Sequence, residues 1–168
     1  REAWSTFLAH LSERGLLSFS RWYFRERPGE MYRLVSLASA ALRERGVAAP
    51  RAHLLVAREL YERTPEAGVM VSGVQGIGTL LVAANPFTAE DVKRFRAECE
   101  GLGFEVVLDP ESSLDPVFES LAAPGLGPSA FAAEALAQLG VAHFAELARQ
   151  VHRDLPGPGN RLVTLGAL

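Results

Sequence analysis

The stretch 53–84, HLLVARELYERTPEAGVMVSGVQGIGTLLVAA, decides the fold. It opens with a strand at His53–Arg58, in which Leu54, Leu55 and Val56 follow one another without a polar break. An unbroken apolar run of that length suits a strand covered on both faces and lying inside a sheet. Pro65 and Gly68 then interrupt the chain, and Val69–Ala84 carries two apolar runs around Gly73 and Gly76, of which Thr79–Ala84 is the clearer strand. The pattern predicts a β-hairpin. Gly73, Gly76 and Gly78 have the spacing of a phosphate loop, but such a loop must open a helix whose first amides face the phosphate. Here Leu80, Leu81 and Val82 continue as a strand, so the glycines predict a hairpin or a bulge.

On the N-terminal side, Trp4, Phe7, Leu8 and Leu11 recur at helical spacing and predict a helix over 2–14, with Gly15 as a left-handed terminator. Leu16–Trp22 is a compact apolar run with aromatic ends, which predicts a strand. After Pro28 and Gly29, a stripe of Leu34, Val35, Ala38, Ala41 and Leu42 predicts a helix ending at Gly46. A helix between two strands is the crossover unit of a parallel sheet.

On the C-terminal side, Thr88 and Asp91 form a capping-box pattern ahead of Val92, Phe95, Cys99 and Leu102. Gly103 ends that helix, and Phe104–Leu108 predicts a short strand stopped by Asp109 and Pro110. Alanine-rich helical pieces follow over 116–121, 130–139 and 141–152, ahead of a breaking run from Pro156 to Gly159. The division is therefore an α/β domain over 1–110 and a helical extension and tail over 111–168.

Composition excludes several functions. The 168 residues are 48% hydrophobic and 22% charged, values of a folded domain rather than a disordered chain. A net charge of -3 offers no field to gather nucleic-acid phosphates. No apolar run reaches the roughly 20 residues of a membrane span, so the chain requires no membrane contact and a cytoplasmic location is expected. The single cysteine, Cys99, closes no internal disulfide and sits at a buried helical position, as an inert thiol would. His10, His53, His143 and His152 lack the i, i+4 pairing of a zinc helix, so no metal site is expected. Ser18, Ser20, Ser72, Ser112 and Ser113 lack the glycine-flanked elbow that presents a nucleophile.

The end of the first strand is the candidate site. There Ser20, Arg21, Trp22 and Tyr23 lead into a loop with Arg25 and Arg27. Ligands of open α/β sheets bind beyond the carboxyl ends of the strands, where aromatics can wall a pocket and an arginine can fork to a carboxylate. The bland alternative is that the aromatics cover the sheet end and the arginines face solvent.

Several segments resemble the spermidine synthase-like branch of the class I S-adenosylmethionine-dependent transferases. FLAHLSERGLLSFSRWYF (7–24) resembles the fifth-strand region, EMYRLVSLASAALRERGV (30–47) the next crossover helix, AHLLVAR (52–58) the sixth strand, and GTLLVAANPFT (78–88) the seventh strand and the entry to the following helix. LGFEVVLDP (102–110) is similar to the short strand that comes next, whereas the tail LPGPGNRLVTLGAL (155–168) departs from the acidic and aromatic ending common in that branch. The resemblance implies a partial Rossmann-like, methyltransferase-type sheet, with the seventh strand antiparallel and inserted between the fifth and sixth. It implies methyl or aminopropyl transfer to a small-molecule acceptor, with S-adenosylmethionine or its decarboxylated form as the parent's cofactor. The family's glycine loop and cofactor-binding acids match no position here, so this chain holds no cofactor group and is inactive alone. Acceptor contact by Ser20, Arg21, Trp22 and Tyr23 is the one role carried over. A polyamine acceptor would want carboxylates, whereas Arg21, Arg25 and Arg27 supply cations. The alternative is a non-catalytic α/β interaction module. Either way the first strand lacks a neighbour on one side, which predicts an exposed edge and a homo-oligomer.

Overall fold

A computed structural model describes residues 2–26, 28–63 and 73–124. Within them α1 (Glu2–Ala9), β1 (Leu16–Phe24), α2 (Gly29–Glu44), β2 (Leu54–Arg63), β3 (Gly73–Ala83), α3 (Ala89–Leu102), β4 (Glu105–Leu108) and α4 (Pro116–Ala122) follow one another, with a 3-10 turn at Pro50–His53. The predicted helices over 130–139 and 141–152 lie outside the described residues, as do Arg27, Pro65 and Gly68.

The fold is α/β, built on one open four-stranded sheet in the order β1-β3-β2-β4. Every adjacent pair is antiparallel, which corrects the expectation of a parallel sheet. The cause is the long pairing of β2 with β3, from Leu54 opposite Val82 to Arg63 opposite Gly73. β1 and β2 run the same way and are linked through α2, yet β3 returns between them and pairs with both. Because cross-strand pairing extends to residues without apolar character, β2 runs on to Arg63 and β3 starts at Gly73, well beyond the apolar runs that mark them in the sequence.

The hairpin expected over 53–84 is present, β2 and β3 being its two arms, and no bulge interrupts the glycines of β3: both neighbours pair with this strand in continuous register. Their role is close approach. A Cβ on Gly78 would stand 2.6 Å from the Tyr23 ring and 3.0 Å from Met31 Cγ, so its bare backbone makes room for those two buried side chains.

Alternate residues of each strand face opposite sides. Leu54 and Val56 of β2 and Leu80 and Val82 of β3 point to the side covered by α1, α2 and α4, where they meet Trp4, Leu8, Met31, Val35, Ala38, Leu42, Phe118 and Leu121 in one core. Residues of α4, assigned by sequence to the extension beyond 110, thus belong to the same core as the sheet. α1 stops at Ala9 rather than at 14; Trp4 and Leu8 are its buried positions, and Leu11 packs against the same core from beyond the helix end. Gly15 closes a turn onto Ser12 at 2.8 Å and is not left-handed; among the described residues the positive-φ glycines are Gly46 and Gly103.

Gly103 caps α3 at φ 76°, and at the other end Thr88 and Asp91 form the reciprocal capping box. α3 packs on the opposite side of the sheet, over β2 and β4. It leaves the outer half of that side, formed by β1 and β3, uncovered: Leu16 is 53% exposed and Trp22 51%.

Candidate functional site

β1 continues as regular strand to Phe24, so its period of two divides the candidate residues between the two sides of the sheet. Ser20 and Trp22 lie on the open side, where Ser20 Oγ is 2.9 Å from Thr79 Oγ1 and Trp22 stands opposite Ile77. Arg21 falls by that alternation on the side of Tyr23 but is exposed, and donates from Nη1 to the carbonyl of its own neighbour, Ser20, at 2.9 Å. Tyr23 is fully buried on the helix side. The four therefore do not line one pocket. Arg25 is exposed beyond the strand, and Arg27 lies outside the described residues.

Tyr23 instead belongs to a polar network that the sequence did not reveal. Arg58 donates from Nη1 to the Tyr23 hydroxyl at 2.9 Å and stacks over its ring at 5.0 Å, a cation–π contact. The same guanidinium donates from Nε to Glu105 Oε2 at 2.7 Å. Nearby, Tyr32 donates its hydroxyl hydrogen to Asp115 Oδ2 at 2.6 Å, and the other oxygen of Asp115 caps α4 through Val117 N at 2.8 Å. One signal was present in the sequence. With period two, Leu54, Val56, Arg58 and Leu60 share the helix side, so a cation on that row requires a buried acceptor.

This network holds its protons. Burial pushes the Tyr23 phenol above its ordinary range, against the opposing pull of Arg58. Burial, followed by the bond to Asp115 and that carboxylate's charge, raises Tyr32 further. A general acid or base works best with a pKa near the operating pH, and neither phenol is tuned that way. Their contribution is structural, present below the unfolded tyrosine pKa of about 10 and lost as pH rises toward the higher folded values. Tyr23→Phe is expected to leave an Arg58 donor without its partner and to cost about 1–2 kcal/mol, measured by urea unfolding.

A concave feature lies on the other side of the sheet, between the strands and α3. It is an apolar groove of about 250 Å³. Ala57, Ile77, Thr79 and Leu81 form its floor, Phe95, Cys99 and Leu102 its helix wall, and Glu59 and Glu98 are among its lining residues. Cys99 is buried, and that burial raises its thiol pKa, so it packs as a thiol rather than attacking as a thiolate. Such a groove can bind apolar matter but carries no activated nucleophile. Among the described residues, no three His, Cys, Asp or Glu side chains converge as metal ligands, and no helix is long and apolar enough to cross a membrane.

Fold and site together define an α/β domain with an antiparallel four-stranded sheet, helices on both sides and one open apolar surface. No family model, curated protein or solved structure matches the chain.

Proposed function

We propose that the chain is the C-terminal part of an S-adenosylmethionine-dependent transferase of the spermidine synthase-like type, moving a methyl or aminopropyl group onto a small acceptor. One observation carries this reading. Two co-directional strands, β1 and β2, are joined through a helix, and the next strand in sequence, β3, runs antiparallel between them. That is the arrangement the family resemblance implies for the last strands of a Rossmann-like transferase sheet. The edge of β1, unpaired among the described residues, and the exposed side beside it suit a border with the rest of a larger sheet. Ser20 and Trp22 stay accessible to an acceptor there, whereas the buried Tyr23 serves the fold.

The cofactor groups of such an enzyme would come from outside these residues, so the chain alone should not bind S-adenosylmethionine. A thermal-shift titration with S-adenosylmethionine, its decarboxylated form and methylthioadenosine is expected to leave the melting temperature unchanged. A bound ligand at 100 times its dissociation constant would stabilise by about 2.7 kcal/mol. The complementary measurement is calorimetric titration of the full-length gene product with the same compounds. Binding there supports the transferase; no binding overturns it. The second reading, a non-catalytic interaction module, is favoured by the apolar groove beside α3 and would then stand.

A further inference from the structure

We propose that the edge of β1, which no strand among the described residues covers, is a self-complementary pairing surface, on which a second copy of this chain adds its own β1 antiparallel across a two-fold axis at Ser20. The main-chain geometry identifies the bonding groups. Arg25 N donates to Val74 O at 3.1 Å and Ala84 N to Gly15 O at 3.4 Å, at the two ends of the β1–β3 ladder. In an antiparallel ladder the residues that exchange bonds with a partner alternate with those that do not. The odd-numbered residues of β1 are therefore spent on β3. Leu16, Ser18, Ser20, Trp22 and Phe24 direct their N–H and C=O groups outward, a ready template for another strand.

The sequence of the strand selects the partner and the register. Centred on Ser20, the nine residues Leu16–Phe24 pair over their whole length: Leu16 with Phe24, Ser18 with Trp22, and Ser20 with itself. Every outward group finds a mate, and the exposed Leu16, Trp22 and Phe24 form an apolar surface that crosses the axis. Arg21 is the cation of this strand, and it would oppose the Phe19 ring of the second copy. Sliding toward the C-terminus until Ser20 faces Trp22 sets Arg21 against Arg21, which like-charge repulsion disfavours. Sliding the other way, until Ser18 faces Ser20, leaves Phe24 unpaired. The bond from Arg21 Nη1 to Ser20 O occupies one outward carbonyl in the single chain and gives way when the second strand docks.

This inference concerns the 168-residue chain and does not rest on the transferase reading, in which the same edge borders the rest of a larger sheet. Light scattering across a wide concentration range should show a species of twice the 18.2 kDa monomer mass. Ser20→Pro removes an outward donor without touching the β3 ladder, a position where an edge strand accepts proline, and should weaken the dimer by about tenfold or more. Ser20→Cys tests the register. A directly opposed, bonded pair has Cα atoms about 5.5 Å apart, inside disulfide range, so mild oxidation should link two chains. Ser18→Cys should not link, because the two equivalent positions would be separated by about four residues, roughly 14 Å along the strands. A monomer at all concentrations overturns the proposal. So does a dimer that keeps its affinity with Ser20→Pro, or one in which Ser18→Cys links and Ser20→Cys does not.

Discussion

Gly76→Ala is expected to be the most damaging small substitution in this chain, costing about 4 kcal/mol or more. The added Cβ would fall on the backbone carbonyl oxygen of Glu59, 2.7 Å from that residue's carbonyl carbon and 2.9 Å from Leu60 Cα. All three atoms are main chain, so no side-chain rotation relieves the overlap. β2 and β3 must move apart at the centre of the sheet, breaking the ladder that sets the strand order. A domain of ordinary stability holds only about 5–15 kcal/mol in total, so the loss would show as a large fall in the urea midpoint or as insoluble expression. Gly101→Ala supplies the contrast. A Cβ there meets nothing within 4 Å, the residue lies in α3, and its φ is not positive. Removing glycine's excess backbone freedom should stabilise by about 0.5–1 kcal/mol. If both variants unfold at the same urea concentration, close approach is not what requires glycine at 76.

Asp109→Ala should cost about 3 kcal/mol, because the carboxylate is fully buried and organises the turn that leads to α4. Its Oδ2 accepts from Arg96 Nε at 2.9 Å, Arg96 Nη2 at 2.7 Å and Ser112 Oγ at 3.0 Å, while Oδ1 accepts from the backbone of Glu111 at 2.8 Å and of Ser112 at 2.7 Å. Truncation leaves those donors without their acceptor beside a core that includes Leu108 and Phe118. Burial alone would raise the pKa of Asp109, but Arg96 and the Ser112 and Glu111 amides outweigh it and hold the carboxyl below the usual range. A lowered folded pKa means that the stabilisation is present above the unfolded value of about 3.9 and is lost as pH falls through the folded value. The stability difference between the parent chain and Asp109→Asn should therefore be flat from about pH 5 to 8 and shrink below about pH 4. A difference that stays constant into strong acid would show that the carboxylate's charge contributes nothing.

Local rules made much of the framework legible in the sequence. Thr88, Asp91 and Gly103 mark the ends of α3 because capping depends on groups within one helical turn. Leu54–Val56 and Leu80–Val82 mark the inner halves of β2 and β3 because apolar runs respond directly to burial. The outer halves, Glu59–Arg63 and Gly73–Ile77, were not legible, since they are strand through pairing with each other and, for Gln75–Ile77, with the end of β1.

The candidate site was read less completely, for the same reason. The cluster Ser20–Tyr23 was visible as composition, but the side of the sheet each member occupies follows from strand continuation to Phe24, set by pairing with β3. Arg58 was passed over because its partners, Tyr23 and Glu105, lie on different strands.

The sequence by itself determined the α/β class, the inner halves of β2 and β3 and the caps of α3, because each depends on neighbours a few positions away. Tertiary structure alone decided the antiparallel sheet, the need for glycine at 76, the network around Arg58 and the edge left open on β1. Each of these depends on which distant residue faces which across the sheet, and that is settled only when the strands close on one another.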